Sequence, residues 1–383
     1  MARLGDICTV VSGSTPKSNI PEYWDGDIKW ITPAELTEQC YIITDSARHI
    51  TELGVQKTGL KPFPAGTVIL SSRAPIGKTA IAGCEMFCNQ GFKNLICSDQ
   101  INNRYLYWFL ACNTDYLNSL GRGATFKEIS KGIVEDIEIP LPSISKQVEI
   151  AEKFEKVSDL IALRKEQLAK LDQLVNSRFV ELFGHKGYPE DSLLNLCNVI
   201  DYRGKTPEKV ENGLPFITAK NVRMHQMNLE PREYISKETY DKVMVRGFPK
   251  EGDVVFTTEA PLGNVCRIPH FDTEFYIGQR IVTLQTEKLE PVYLEYALSS
   301  DDFKTKYMGK SSGSTVTGIR VRLLEQLTIP VPPMELQEQF AAFVEQTEKS
   351  KLVIQQSLDK LELLKKSLIL IGSTASRQTI LTT

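Results

Sequence analysis

Residues 140–183 read PLPSISKQVEIAEKFEKVSDLIALRKEQLAKLDQLVNSRFVELF, and this stretch decides the fold. A proline-punctuated strand end, Ile139-Pro140-Leu141-Pro142, gives way to a helix. Ser143 and Ser145 are candidate N-caps, since a hydroxyl accepts the free amide protons of a first turn. Phe154, Ile161, Leu168, Val175 and Leu182 then recur every seven residues. Val157, Arg164, Leu171 and Arg178 form a second series three residues on. Steps alternating between three and four residues place both series on one helix stripe, the seam of a coiled coil. Gly184 follows as a C′ glycine would.

The pattern returns at Ile329-Pro330-Val331-Pro332-Pro333. Phe340, Ile354, Leu358, Leu361 and Leu368 carry the second stripe, and Gly372 is its expected end. Gln147 and Ala151 recur as Gln337 and Ala341. Thr347, Lys351 and Lys365 interrupt the second seam. Two such helices in one chain are expected to bury their stripes on each other; the competing arrangement packs each on its own globular core.

The repeat extends through the chain. Ser12-Gly13-Ser14-Thr15-Pro16-Lys17 resembles Tyr202-Arg203-Gly204-Lys205-Thr206-Pro207. Lys29-Trp30-Ile31-Thr32 resembles Pro215-Phe216-Ile217-Thr218, a short strand. Phe63–Leu70 and Phe248–Phe256 each read as a glycine turn feeding a buried strand. Ala74-Pro75-Ile76-Gly77 and Ala260-Pro261-Leu262-Gly263 are turns before a further strand. Asn89-Gln90-Gly91 parallels Gly278-Gln279-Arg280. Helices are expected over Arg104–Asn118 and Val292–Ser299. Polar loops follow at Gly121–Thr125 and Ser311–Thr315, and strands at Ile137–Ile139 and Leu327–Ile329 close each half.

The expected architecture is therefore mixed α/β (α+β) with an internal pseudo-twofold repeat. Residues 1–142 form one globular domain, 143–184 a long helix, 185–332 a second globular domain, 333–372 a second long helix and 373–383 a polar tail. The two domains share glycine, proline and apolar positions and differ in the polar residues between them.

At 383 residues the chain exceeds one ordinary core. Its 42% hydrophobic and 24% charged content is globular. No run of apolar residues is long enough to span a membrane, and the start lacks a signal-peptide core. Eight cysteines without an export signal suggest reduced thiols in a cytoplasm. Cys84, Cys88, Cys97 and Cys112 lack paired zinc-site spacing, so no metal is expected. The net charge is −3, and neither globular domain is basic. Binding of nucleic acid must then use local clusters or a partner's charge.

Catalytic constellations are missing. There is no Walker loop, no H-E-x-x-H, no G-x-S-x-G, and no Asn/Asp-Pro-Pro-aromatic tetrapeptide of amino-methyltransferases. His49, His185, His225 and His270 are isolated in sequence and read as surface or packing residues. The chain reads as non-catalytic by itself.

The two Pro-x-Pro entries with Gln147 and Gln337, the paired heptad helices, and the repeated Thr-Pro, Trp/Phe-Ile-Thr and Ala-Pro-x-Gly motifs together resemble the specificity (S) subunits of type I restriction–modification systems. The likeness runs from about Leu4 to Gly372. It implies two target recognition domains, each reading one half of a bipartite, gapped site in double-stranded DNA. It implies an antiparallel coiled coil as spacer. It also implies two methyltransferase (M) subunits and restriction (R) subunits as partners, with S-adenosylmethionine, ATP and Mg held by those partners only. A helix of about 40 residues spans about 60 Å, against a DNA turn of roughly 34–36 Å, so such a spacer suits half-sites on successive turns.

Base reading uses Arg, Lys, Asn or Gln on loops and turns. In the first domain these are Ser14, Lys17, Arg73, Lys78, Gln90, Lys93, Arg122 and Lys127. In the second they are Arg203, Lys205, Lys220, Asn221, Arg223, Asn264, Gln279, Arg280, Lys310, Ser311, Arg320 and Arg322. Phe154, Ile161, Leu168, Leu171, Val175, Ile354, Leu358, Leu361 and Leu368 are assigned to the seam, and the outer helix faces to M-subunit docking. Other readings are a stand-alone two-headed DNA-binding regulator, a protein-binding scaffold and, weakest, a self-contained methyltransferase.

Overall fold

The computed structural model describes residues 1–37, 40–73, 75–123, 127–202, 207–311 and 317–374, with side chains of the last helix described to Leu368. The chain forms two compact units, Met1–Lys165 with Gln356–Thr383, and Glu166–Gln355.

The first unit is built on a five-stranded sheet, in the order Cys8–Ser12, Lys93–Cys97, Val68–Leu70, Thr79–Ala82, Ile42–Ile43. All neighbours are antiparallel except the last pair. Val68–Leu70 and Thr79–Ala82 are buried at every residue, as inner strands covered on both faces must be. A smaller sheet joins Arg48–Ile50, Trp24–Ile31 and Phe87–Cys88. The helix Asn103–Cys112 buries Leu106 and Leu110 against the larger sheet, and the Asn102 side chain caps it through Arg104 N and Tyr105 N. Each such apolar side chain contributes about 1.5–3 kcal/mol when buried.

The second unit repeats this plan. Asn198–Asp201, Ile281–Gln285, Val254–Thr257 and Val265–Arg267 form an antiparallel four-stranded sheet. Tyr234–Ile235, Leu214–Ile217 and Tyr276–Ile277 form the smaller one. The helix Pro291–Ser299 takes the place of Asn103–Cys112, with Glu290 accepting from Tyr293 N. A hairpin, Val222–Arg223 with Gln226–Met227, has no counterpart among the described residues of the first unit. Both turns before the third inner strand need their glycine: Gly77 has φ +97° and Gly263 φ +88°, and a Cβ on either would collide with Thr114 or Tyr307.

Each globular part is closed before its helix begins. Ala2–Arg3 pairs with Glu138–Ile139, and Glu190–Ser192 pairs with Thr328–Pro330. The long helices run Ile144–Phe183 and Met334–Thr374. Ser143 caps by position, its carbonyl accepting from Lys146 N and Gln147 N at 2.9 Å. Ser145 lies inside the helix instead of capping it. Gly184 does follow the first helix, its N–H reaching the Val180 carbonyl at 2.8 Å. Gly372 does not end the second, since one interior glycine costs only about 1 kcal/mol.

Between residues 159 and 178 the non-exposed positions are Ile161, Arg164, Leu168, Leu171, Val175 and Arg178. That is the heptad stripe. In the second unit Phe179 and Phe183 pack on Phe340 at 5.5 and 5.6 Å between ring centroids. Asp172, earlier on the first helix, pairs with Lys351, later on the second, so the segments run antiparallel. In the first unit Lys165 meets Glu362 at 3.5 Å, and Leu368 packs on the cluster holding Phe154, which gives the same sense. The helices bury their stripes both on each other and on the globular cores: Ala151 and Phe154 join the first core, Val175, Phe183, Phe340 and Val344 the second. This is why the compact units divide within the helices.

One expected helix, Arg104–Asn118, is two, Asn103–Cys112 and Thr114–Ser119, broken at Asn113. A matching helix, Asp301–Met308, follows Pro291–Ser299 and is capped by Ser300. Its polar, charged sequence hid it from an apolar-periodicity reading.

Candidate nucleic-acid interface

Three segments of the first domain meet at Ser72. Its N–H donates to the Gly91 carbonyl at 2.7 Å, and its carbonyl accepts from Ile129 N at 3.0 Å. Next to it, Gly77 N donates to the Ser71 carbonyl at 3.0 Å. The second domain builds the same node at Thr258, with Arg280 carbonyl, Ile319 N and the Gly263–Thr257 bond, each at 2.9 Å. The turn, the Gln90/Gln279 segment and the end of the polar loop are thus held together in each domain by the same set of backbone bonds, a shared frame on which the outward side chains differ.

In the first domain this gathers Arg73, Lys78, Gln90, Arg122 and Lys127. Arg73 and Arg122 both form backbone bridges with Glu128, and Lys127 packs beside Gly121. Thr15 donates to the Gln90 side chain, which brings in Ser14, itself bonded to the Cys88 carbonyl at 3.0 Å. Lys78 Nζ reaches the Pro33 carbonyl at 3.2 Å. Arg122 and Lys127 are exposed and make no ion pair among the described residues. Lys17 is exposed on a separate loop, where its carbonyl accepts from Trp24 Nε1 at 3.2 Å. Lys93 is buried, with Nζ 3.3 Å from both Ser72 Oγ and Glu128 Oε1. It supports the node from beneath.

Glu128 also pairs with Arg73, Nη1 to Oε2, at 3.5 Å. Sequence reading overlooked it because no acidic residue was sought. The residue after each node is Arg73 in one domain and Glu259 in the other. Each forms a backbone bridge across to the loop, to Glu128 and to Gly318. Glu259 pairs with Arg280 Nε at 3.1 Å. The same position therefore carries opposite charge in the two domains. Exposed pairs of this kind contribute about 0–1 kcal/mol, so neither guanidinium is locked in place by its carboxylate.

Elsewhere in the second domain, Lys220 and Arg223 are exposed around the 218–228 turn, and Gln279 lies half-buried beside Arg280. Asn221 is 1% exposed and fully engaged: Oδ1 accepts from Thr218 N at 2.9 Å, and Nδ2 donates to the Asn228 carbonyl at 2.9 Å. It is a turn pillar. Asn264 Nδ2 donates to the Val222 carbonyl at 2.8 Å and holds the hairpin to the node. Lys310 and Ser311 follow the helix Asp301–Met308, with Ser311 Oγ bonded to the Met308 carbonyl at 2.8 Å. Arg320 stands at the N-cap position of the helix Val321–Glu325, and Arg322 is exposed within it. Arg203 and Lys205, like most of the Ser311–Thr315 loop, lie outside the described residues.

Three of the histidines are not isolated. His225 Nδ1 lies 2.8 Å from the buried Glu295, which also accepts from Arg267 Nε at 2.6 Å, and its ring stacks on Tyr296 at 4.2 Å. Arg267 reaches on to Glu348 of the second long helix at 2.9 Å. In the first domain Arg104 and Tyr41 grip Glu155 of the first long helix. His49 faces Asp45 at 3.3 Å. The Glu251 carboxylate beside His270 raises that imidazole above its usual range. Among the described residues no group of histidines, cysteines and carboxylates is placed to hold a metal, and no helix is long and apolar enough to cross a membrane.

Two copies of one α+β domain, each running into a long helix and each presenting varied polar side chains on a constant backbone node, define a tandem reading scaffold. The chain belongs to the type I restriction–modification specificity-subunit family: the family model for the type I restriction modification DNA specificity domain matches residues 1–173 and again 189–363. It is 29% identical over 371 residues to the type I restriction enzyme MjaIX specificity subunit of Methanocaldococcus jannaschii, covering 90% of this chain and 85% of that one. Its fold is similar to the S subunit structure from M. genitalium (TM-score 0.57, 14% identity, covering 96% and 94% of the two chains). It is also similar to a chain from a structural study of type I R-M complex assembly and conformational transition (TM-score 0.62, 20% identity, 97% and 96%).

Proposed function

We propose that this chain is the DNA-reading subunit of a type I restriction–modification complex in the cytoplasm, and that it performs no chemistry itself. Each globular domain reads one half of a bipartite, gapped site in duplex DNA. The long helices set the gap and dock two methyltransferase subunits; restriction subunits join that assembly. S-adenosylmethionine, ATP and Mg belong to those partners.

The observation that carries this reading is the shared node with unlike side chains. Arg73 and Glu259 occupy one position on one backbone framework. An arginine favours guanine edges in the major groove, whereas a glutamate accepts from cytosine N4. Two domains differing in this way read unequal half-sites, so the whole site is asymmetric. Near-neutral domains are compatible with this if the methyltransferase subunits supply most phosphate contacts, which dominate salt-dependent affinity.

The test is methylome sequencing of a host carrying this chain and its neighbouring methyltransferase, with and without this gene. The expected result is a gapped, asymmetric adenine-methylation motif that vanishes with the gene. Unchanged methylation beside an active methyltransferase would overturn the reading, and a DNA pull-down would then separate a two-headed regulator from a protein scaffold.

A further inference from the structure

Cys8 and Cys97 face each other across the edge of the larger sheet of the first domain. The strands Cys8–Ser12 and Lys93–Cys97 are antiparallel, and the two cysteines are register partners. The adjoining backbone bond runs from Ser98 N to the Ile7 carbonyl at 3.0 Å. A bond from the residue after one partner to the residue before the other flanks a non-hydrogen-bonded pair. Cα atoms of such pairs lie only about 4.5 Å apart, with their side chains close on one face. Disulfides span Cα separations of about 4.4–6.8 Å, so closure requires no strand movement. Both side chains belong to the same apolar cluster, on one face of the sheet. Cys97 is half-buried and Cys8 buried, so a reagent from solvent meets Cys97 first.

The second domain gives a natural comparison. Cys197 occupies the place of Cys8, and the register Asn198↔Gln285 puts Thr286 in the place of Cys97. Thr286 Oγ1 donates to the Leu196 carbonyl at 2.8 Å. A cysteine–threonine pair thus fills the place that two cysteines fill in the first domain. A second thiol is therefore not a requirement of this strand pairing, and of the two pairs only the one in the first domain can be oxidised to a bridge.

We infer that Cys8 and Cys97 form a modification site that closes to an intradomain disulfide on contact with a low-molecular-weight disulfide. The Cys97 thiolate attacks one sulfur of the reagent R–S–S–R. The S–S bond breaks, and one R–S⁻ leaves and takes up a proton. Cys8 then gives up its proton and attacks Cys97 Sγ, expelling the second R–S⁻. Two protein thiols are oxidised, one small disulfide is reduced to two small thiols, and no other reactant is required. In the reduced protein the hydrogen bond to Cys97, then burial, push the Cys8 thiol far up. The bridge lies three residues from Gln100, whose carbonyl accepts from the Gln147 side chain at 3.1 Å. It staples the edge strand beside the root of the first long helix, in one domain of the two.

The experiment treats the full chain with oxidised glutathione, blocks free thiols with an alkylating agent under denaturing conditions, and maps peptides without reductant. The expected result is one cross-linked peptide pair, Cys8 with Cys97, a chain lighter by two hydrogen atoms, and the other cysteines alkylated. Cys97→Thr copies the second domain, keeps its circular dichroism spectrum and leaves Cys8 alkylatable. Cys8→Ser stops at a lasting glutathione adduct on Cys97. A lasting adduct on Cys97 in the unmodified sequence, or oxidation of other cysteines before this pair, overturns the inference. Neither outcome bears on whether the chain reads DNA.

Discussion

The side-chain oxygen of Gln337 accepts a hydrogen bond from the backbone N–H of Glu290 at 2.9 Å. Its amide nitrogen donates to the Pro332 carbonyl at 2.8 Å. Gln147 makes the corresponding bonds to Asn102 N and the Pro142 carbonyl, at 2.8 and 2.9 Å. Tyr105 and Tyr293 complete the motif by donating to the Pro140 and Pro330 carbonyls at 2.9 and 2.6 Å. A buried carboxamide thus ties the start of each long helix to the start of a domain helix. Gln337→Ala leaves a buried N–H and a buried carbonyl without partners, which costs about 1–3 kcal/mol. Urea unfolding should show the midpoint fall by that equivalent, and an unchanged midpoint would mean that water replaces the side chain.

Glu155 gives a pH dependence. Burial pushes its carboxyl up, but hydrogen bonds from Arg104 and Tyr41 and the Arg104 charge outweigh this and hold it below the usual 4.5. A depressed carboxylate contributes stability above its unfolded pKa and loses it as pH falls through the folded value. Thermal midpoints should therefore decline below about pH 4.5 more steeply for the native chain than for Glu155→Gln. Parallel profiles would remove this pair from the domain-to-helix attachment.

The heptad reading is tested by two leucines on one helix. Leu358 is 5% exposed and Leu363 is 68% exposed. Leu358→Ala should cost about 2–5 kcal/mol, and Leu363→Ala should stay within about 0.5 kcal/mol. Equal losses in chemical denaturation would place the stripe wrongly.

At the candidate interface, Arg73→Ala and Arg280→Ala should each relax one half-site only. With the methyltransferase subunits present, methylome sequencing should show degeneracy on one side of the gap for each variant. Where the arginine meets a phosphate instead, affinity should fall alike for all sequences, and the salt slope should drop by about 1. Equal loss at both half-sites together with a lower melting temperature would make these arginines structural.

Much of this was legible in the sequence, because the repeat and the heptads are set by backbone and burial constraints that act locally. Gly77 and Gly263 mark matching turns for a steric reason, and Gln147 and Gln337 recur because they fill the same buried socket. The reading surface was less legible. A lysine on a polar-looking segment, such as Lys93, turned inward because Glu128 neutralises it there. Asn221 looked like a reader and is a turn pillar, since its side chain at the close of a tight turn accepts from the Thr218 N–H that opens it. Glu128, Glu295 and Glu155 went unnoticed because a carboxylate's partner lies far along the chain and leaves no local periodicity.

The division of the compact units within the helices sets an order of events during synthesis. Residues 166–355 are contiguous, so the second unit is complete once Gln355 has been added. The first unit is not. Its core around Trp108 and Phe154 takes Leu368 as a packing partner, and Lys365 lies over the Trp108 ring at 5.1 Å. Those residues are made only after the whole of the second unit. A nascent chain therefore carries an unsealed apolar surface on its first unit until the far part of the second long helix has been made, and truncation before Lys365 exposes that surface to chaperones and proteases.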